Sequence, residues 1–137
     1  MTPTLIGRWQ TRTFLLLTVG LVVTFFFALL AAFLFEELDF LKPFAILFFV
    51  LATGYVWDAV YIFLQRFRWD RDWPPAFQFL TALVEMIPAG ILAWLLGVPW
   101  WFFLLHYWLT WWAIFIASQG PMRIFFPRWR FRGGRWL

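Results

Sequence analysis

The chain has 137 residues, of which 64% are hydrophobic, 26% aromatic and only 13% charged, with a net charge of +4. That is too little polar surface to cover a water-soluble globule of this size, so lipid is the expected solvent. Cysteine is absent, which excludes disulfides, thiolate catalysis, zinc–sulfur sites and iron–sulfur clusters, and no cofactor or metal is expected.

Taken in order, the first apolar run covers about 14–35. As a helix it measures about 33 Å, against a hydrocarbon core of about 30 Å. It is too long for the apolar core of a cleaved signal peptide. Thr11 or Thr13 is placed to cap its start. A short acidic loop follows, Glu36-Glu37-Leu38-Asp39, and Pro43 is suited to open the second span, about 44–65, because a first-turn residue needs no N–H. The connection Arg66 to Pro75 packs alternating charges with two tryptophans and two prolines, a composition that suits the headgroup layer.

The third span, about 76–96, contains Pro88, which cannot donate to the Val84 carbonyl and is expected to kink the helix. Gly97-Val98-Pro99 reads as a tight turn, so the third and fourth spans form an antiparallel hairpin. The fourth span covers about 100–118 and meets a helix stop at Gly120-Pro121. The fold class is therefore all-α: a polytopic four-transmembrane-helix bundle over 1–120, with a basic-aromatic tail over 121–137.

Charge sets the expected orientation. Arg8, Arg12, Arg66, Arg68, Arg71, Arg123, Arg128, Arg130, Arg132 and Arg135 fall on one side of such a bundle and Lys42 alone on the other. Short loops rich in Lys and Arg stay cytoplasmic, so both termini are expected there, in a bacterial inner or related internal membrane.

At about 100° per residue, each span carries one small or polar seam. The seams are Thr13, Gly20, Thr24 and Ala31; Gly54, Asp58, Tyr61 and Gln65; Gln78, Thr81, Glu85 and Pro88; and His106, Thr110, Ala113 and Ala117. Small residues let helix backbones approach, and the bulk of Phe, Leu and Trp is expected to face outward.

Three ionisable residues lie within the spans. An acid at a helix centre costs roughly 2.5–3.5 kcal/mol on insertion scales, so Asp58 and Glu85 need a reason. Counted from the cytoplasmic ends at 1.5 Å per residue, Asp58, Glu85 and His106 lie at depths of about 10, 14 and 18 Å. One reading is a proton or cation path through these three with Tyr61 and Thr110 beside them. The other is a polar cluster fixing helix register, with Glu85 paired to His106 or accepting from Tyr107 or Tyr61. A metal site is disfavoured by the axial spread of about 8 Å and the single imidazole.

Trp69-Asp70-Arg71-Asp72-Trp73 reads as an interfacial loop in which charges pair with one another and the tryptophans anchor. In an extended tail, Arg128, Arg130 and Arg132 share one side and Trp129 and Phe131 the other. With Arg123 and Arg135 they suit contact with anionic headgroups, each arginine contributing about 1 kcal/mol. The Arg132-Gly133-Gly134-Arg135 run is similar in composition to single-stranded RNA binders, but it is short and close to the bilayer, and nucleic acid is not an expected partner.

The stretch from Trp57 to Pro74, with its Trp57-Asp58 and Arg68-Trp69-Asp70-Arg71-Asp72-Trp73-Pro74 motifs, together with the tail from Gly120 to Gly134, resembles a family of small uncharacterised bacterial membrane proteins. The resemblance implies the four-span arrangement and no catalytic residue. The expected function is that of a non-enzymatic integral membrane protein, an accessory, scaffolding or assembly subunit meeting lipid, further copies of itself or a larger complex. The alternative is a small proton-coupled or cation transporter using Asp58, Glu85 and His106. A lipid-modifying enzyme at Asp70, Asp72 and Arg123 is a third reading, which lacks a nucleophile motif.

Overall fold

The structure, a computed structural model, describes residues 4–34, 40–67, 75–126 and 128. Its elements are α1 (Leu5–Leu15), a π turn (Leu16–Gly20), α2 (Leu21–Leu34), α3 (Lys42–Gln65), α4 (Pro75–Leu95), α5 (Trp100–Gln119) and α6 (Pro121–Phe125), with no strand among the described residues. The first three form one continuous rod. Four helices are long and apolar enough to cross a membrane: Leu5–Phe33, Lys42–Gln65, Ala76–Leu95 and Trp100–Gln119.

The last three spans start and stop within a residue or two of the bounds expected from hydropathy. The first does not. It begins at Leu5, and its N-cap is Thr4 rather than Thr11 or Thr13: the Thr4 hydroxyl accepts from the Gly7 N–H at 3.1 Å. Leu5 to Thr13 contains Arg8, Gln10 and Arg12, which lower the hydropathy without lowering helix propensity. A solvent-facing lead-in and a buried first turn are thus indistinguishable by composition until the partner of each arginine is known.

The π turn changes which residues face inward. In an unbroken α-helix Arg12 and Thr24 are about 120° apart around the axis. A π turn accommodates one extra residue, a correction of about 100° that brings both toward the interior. There, Arg12 meets carboxylates on α3 and α4, and Thr24, fully buried, meets His106 on α5.

The α4–α5 hairpin turns at Gly97, whose φ of 75° lies in the left-handed region. Val98 N–H donates to the Ala93 carbonyl at 2.9 Å and Gly97 N–H to the Trp94 carbonyl at 3.1 Å, the paired bonds of a Schellman cap. Ala93 and Val98 join the apolar core there, with Phe27, Ala31, Ile46, Ala89, Phe102 and Phe103. Phe102 and Phe103 are thus among the most buried side chains, whereas most other Phe, Leu and Trp side chains face outward as expected. Helix α4 continues through Pro88 from Pro75 to Leu95.

Gly120-Pro121 does stop α5, but the chain re-enters helix at once, with Pro121 in the first turn of α6. Met122 is buried against Leu15, so the start of the tail docks on the bundle. Arg128 is exposed. Trp69, Asp70, Arg71, Asp72, Trp73, Arg130, Arg132, Arg135 and the side chain of Arg123 lie outside the described residues.

Because a side chain in the left-handed region costs about 1–2 kcal/mol, Gly97→Ala is expected to destabilise the hairpin by that amount in a denaturation titration in detergent. Gly120→Ala, at a residue with negative φ, is expected to cost less.

Candidate functional site

Near the N-terminal end of the rod, Arg12 is held by two carboxylates at once. Its Nε and Nη2 donate to Asp58 Oδ2 and Oδ1, both at 2.9 Å. Its Nη1 and Nη2 donate to Glu85 Oε2 and Oε1 at 3.1 and 2.9 Å. One planar guanidinium therefore makes two bidentate forks, the geometry that arginine supports and lysine does not. The side chains are 15%, 2% and 11% exposed for Arg12, Asp58 and Glu85, so water screens these bonds little.

Tyr61 completes the cluster by donating its hydroxyl to Glu85 Oε1 at 2.9 Å. Arg8, one turn before Arg12, places Nη1 3.8 Å from Asp58 Oδ1 and its guanidinium carbon 5.6 Å from the centre of the Tyr61 ring. Formal charge balances, two arginines against two acids. The cluster ties α1 to both α3 and α4.

The backbone of α3 makes room for this. A Cβ added at Gly54 would collide with Nη1, Cζ and Cδ of Arg12, so the arginine stem crosses α3 directly over that glycine. Gly54, Asp58, Tyr61 and Gln65 are all buried on α3, the face expected from their spacing. Beside the cluster, Thr13 shares a hydrogen bond with the Tyr55 hydroxyl at 2.5 Å, and Trp9 Nε1 donates to the Tyr55 carbonyl at 3.1 Å.

His106 belongs to a separate contact. Its Nε2 is 2.9 Å from Thr24 Oγ1, and its ring centre lies 5.1 Å from that of Phe27. Of the three partners expected for Glu85 from sequence, Tyr61 is the one the structure shows; His106 and Tyr107 are corrected, because Glu85 is taken by Arg12 and Tyr61, and the Tyr107 hydroxyl donates to the Ala82 carbonyl at 2.6 Å. Among the described residues, no three His, Asp or Glu side chains converge to hold a metal ion.

A cavity of about 240 Å³ lies between the ionic cluster and α5. Arg12, Asp58, Tyr61 and Glu85 border it, as do His106 and Thr110, while Leu16, Leu47, Ile114 and Phe115 supply apolar wall. His106 and Thr110 are 2% and 7% exposed, and neither His106 Nδ1 nor Thr110 Oγ1 has a hydrogen-bond partner among the described residues.

Of the residues singled out from sequence, Asp58, Tyr61 and Glu85 come together, and His106 and Thr110 sit one turn apart on α5. Arg12, the centre of the cluster, precedes the first apolar run, where hydropathy alone makes it a flanking cation. Two signals point to it: acids buried in spans require cations, and Arg8 and Arg12 lie one turn apart immediately before the first apolar run.

Comparison with protein-family models, curated proteins and solved structures gave no match.

Removing Arg12 leaves two buried carboxylates against the single charge of Arg8, 3.8 Å from Asp58. Arg12→Leu is expected to destabilise the bundle by about 3–5 kcal/mol in a denaturant titration. Arg12→Lys, which keeps the charge and loses both forks, is expected to fall between that variant and the native chain. Equal stability of all three contradicts the cluster.

Proposed function

We propose that the chain is a non-enzymatic integral membrane protein, an accessory or scaffolding subunit whose polar interior holds its own helices in register. The observation that carries this reading is the occupancy of the two intramembrane acids. Asp58 and Glu85 are both bonded by Arg12, so the costly charges of the spans are spent on joining helices. A proton or cation path requires those acids to exchange their partners, and His106 is bonded elsewhere, to Thr24. That favours the structural role over the transport alternative.

The exterior supports a membrane role. Phe26, Phe33, Val56, Ile87, Trp94 and Ile116 are all more than half exposed, on all four spans. Such a surface gains little by contact with lipid or with a second apolar helix unless shapes match, so packing selects any partner. Orientation is proposed from loop charge. With Arg8 and Arg12 committed to the interior, the bias rests on Arg66, Arg68, Arg71 and the five tail arginines against Lys42, which still favours cytoplasmic termini in a bacterial inner membrane. The tail arginines, Arg128 among them, suit anionic headgroups.

Extraction in mild detergent followed by native mass analysis tests the proposal. The expected result is the chain bound to further copies of itself or to a second membrane protein. Recovery only as a monomer contradicts the accessory role.

A further inference from the structure

Thr110 is unusual among the intramembrane threonines. A helical threonine can bond the carbonyl one turn back, as Thr18 does to Phe14 at 2.7 Å and Thr53 to Phe49 at 2.8 Å. Thr110 does not: its hydroxyl is buried without a partner, and so is Nδ1 of His106, one turn earlier on the same helix. A buried polar group left unmatched costs about 1–3 kcal/mol. Both residues line the same cavity and, four positions apart on α5, they project from neighbouring turns of one face.

We propose that this cavity binds a neutral, lipid-soluble molecule whose single hydroxyl or carbonyl group is held by Thr110 and His106. The inference does not depend on the accessory role.

Size, wall chemistry and charge define the class. The cavity of about 240 Å³ exceeds the roughly 150 Å³ that suffices for an apolar cavity to take up a benzene ring. Leu16, Leu47, Ile114 and Phe115 offer an apolar body nothing but dispersion contact. Elsewhere on the lining, the charges of Arg8 and Arg12 sum to zero with those of Asp58 and Glu85, so the site has no net formal charge for a ligand to neutralise.

One oxygen suffices for the head. If His106 Nε2–H donates to Thr24, Nδ1 is an acceptor, and a ligand hydroxyl donates to it while accepting from Thr110. If Thr24 donates to Nε2, Nδ1 carries the hydrogen, and a carbonyl oxygen accepts from both Nδ1–H and Thr110. A single water satisfies the same two atoms but leaves the apolar remainder of the cavity empty.

The test uses three probes of similar shape: 4-butylphenol, butyrophenone and butylbenzene. Each is dialysed to equilibrium against nanodiscs carrying the full chain, with empty nanodiscs measuring partition into lipid. The expected result is saturable binding of at least one oxygenated probe, one per chain and at least about tenfold tighter than butylbenzene, a gap of about 1.4 kcal/mol. A carbonyl oxygen only accepts, so binding of the ketone with that margin assigns the Nδ1–H tautomer, whereas a margin for the phenol alone assigns the Nε2–H tautomer.

Thr110→Ser is expected to keep that margin and Thr110→Val to remove it. Uptake of all three probes equal to that of empty nanodiscs overturns the proposal and leaves water as the occupant. Butylbenzene binding as tightly as the oxygenated probes also overturns it, and so does an undiminished margin in Thr110→Val. Should either variant fail to fold, the comparison of probes on the unaltered chain decides.

Discussion

A carboxylate or a guanidinium buried alone in an apolar interior costs several kcal/mol, and the bundle resolves that cost by bringing Arg12, Asp58 and Glu85 to one point. The solution is geometric as well as electrostatic. Two bidentate forks on one planar group fix the rotation of three helices: α1 must present Arg12, α3 must present Asp58 one turn after a glycine, and α4 must present Glu85 opposite. A shift of one residue in any helix turns its charged side chain by about 100° and breaks a fork. Buried ion pairs of this kind contribute more to a single arrangement than to net stability, since apolar packing of similar volume is often as stable.

The rest of the bundle uses weaker devices arranged around that point. Helix α5 takes no part in the charge cluster. It is joined to the first rod through Thr24 and His106, to α4 through the Schellman turn at Gly97 and the Tyr107 bond to Ala82, and to the core through Phe102 and Phe103. Small residues serve close approach where these aromatics need space: Ala28, Ala31, Ala89 and Ala93 are essentially fully buried. The π turn connects the two systems, because it lets one rod direct Arg12 toward α3 and α4 and Thr24 toward α5. The cavity lies where the ionic and apolar layers meet and no side chain fills the gap between them.

Hydropathy and turn chemistry made much of the fold legible in the sequence. Span length, Pro43, Gly97 and Gly120-Pro121 mark the ends of α3, α4 and α5, and the helical wheel of α3 placed Gly54, Asp58, Tyr61 and Gln65 on one face that is in fact buried. What escaped was the first helix. Arg8 and Arg12 read as flanking cations because a hydropathy window cannot register a charge neutralised by another helix. The wheel also assumed unbroken 3.6-residue periodicity, which puts Thr13 in line with Gly20 and Thr24; the π turn moves the inward position to Arg12. His106 and Thr110 were legible as a pair, but their association with Thr24 and a cavity depends on packing across helices that local spacing does not encode.

The shared arginine is tested most directly by a double-mutant cycle on Arg12→Met and Glu85→Met, with unfolding free energies measured in one detergent. A coupling free energy of about 1–3 kcal/mol between the two sites is expected, with the double variant more stable than Arg12→Met alone, because it no longer buries an uncompensated Glu85. Additive losses, with no coupling between Arg12 and Glu85, would contradict the account.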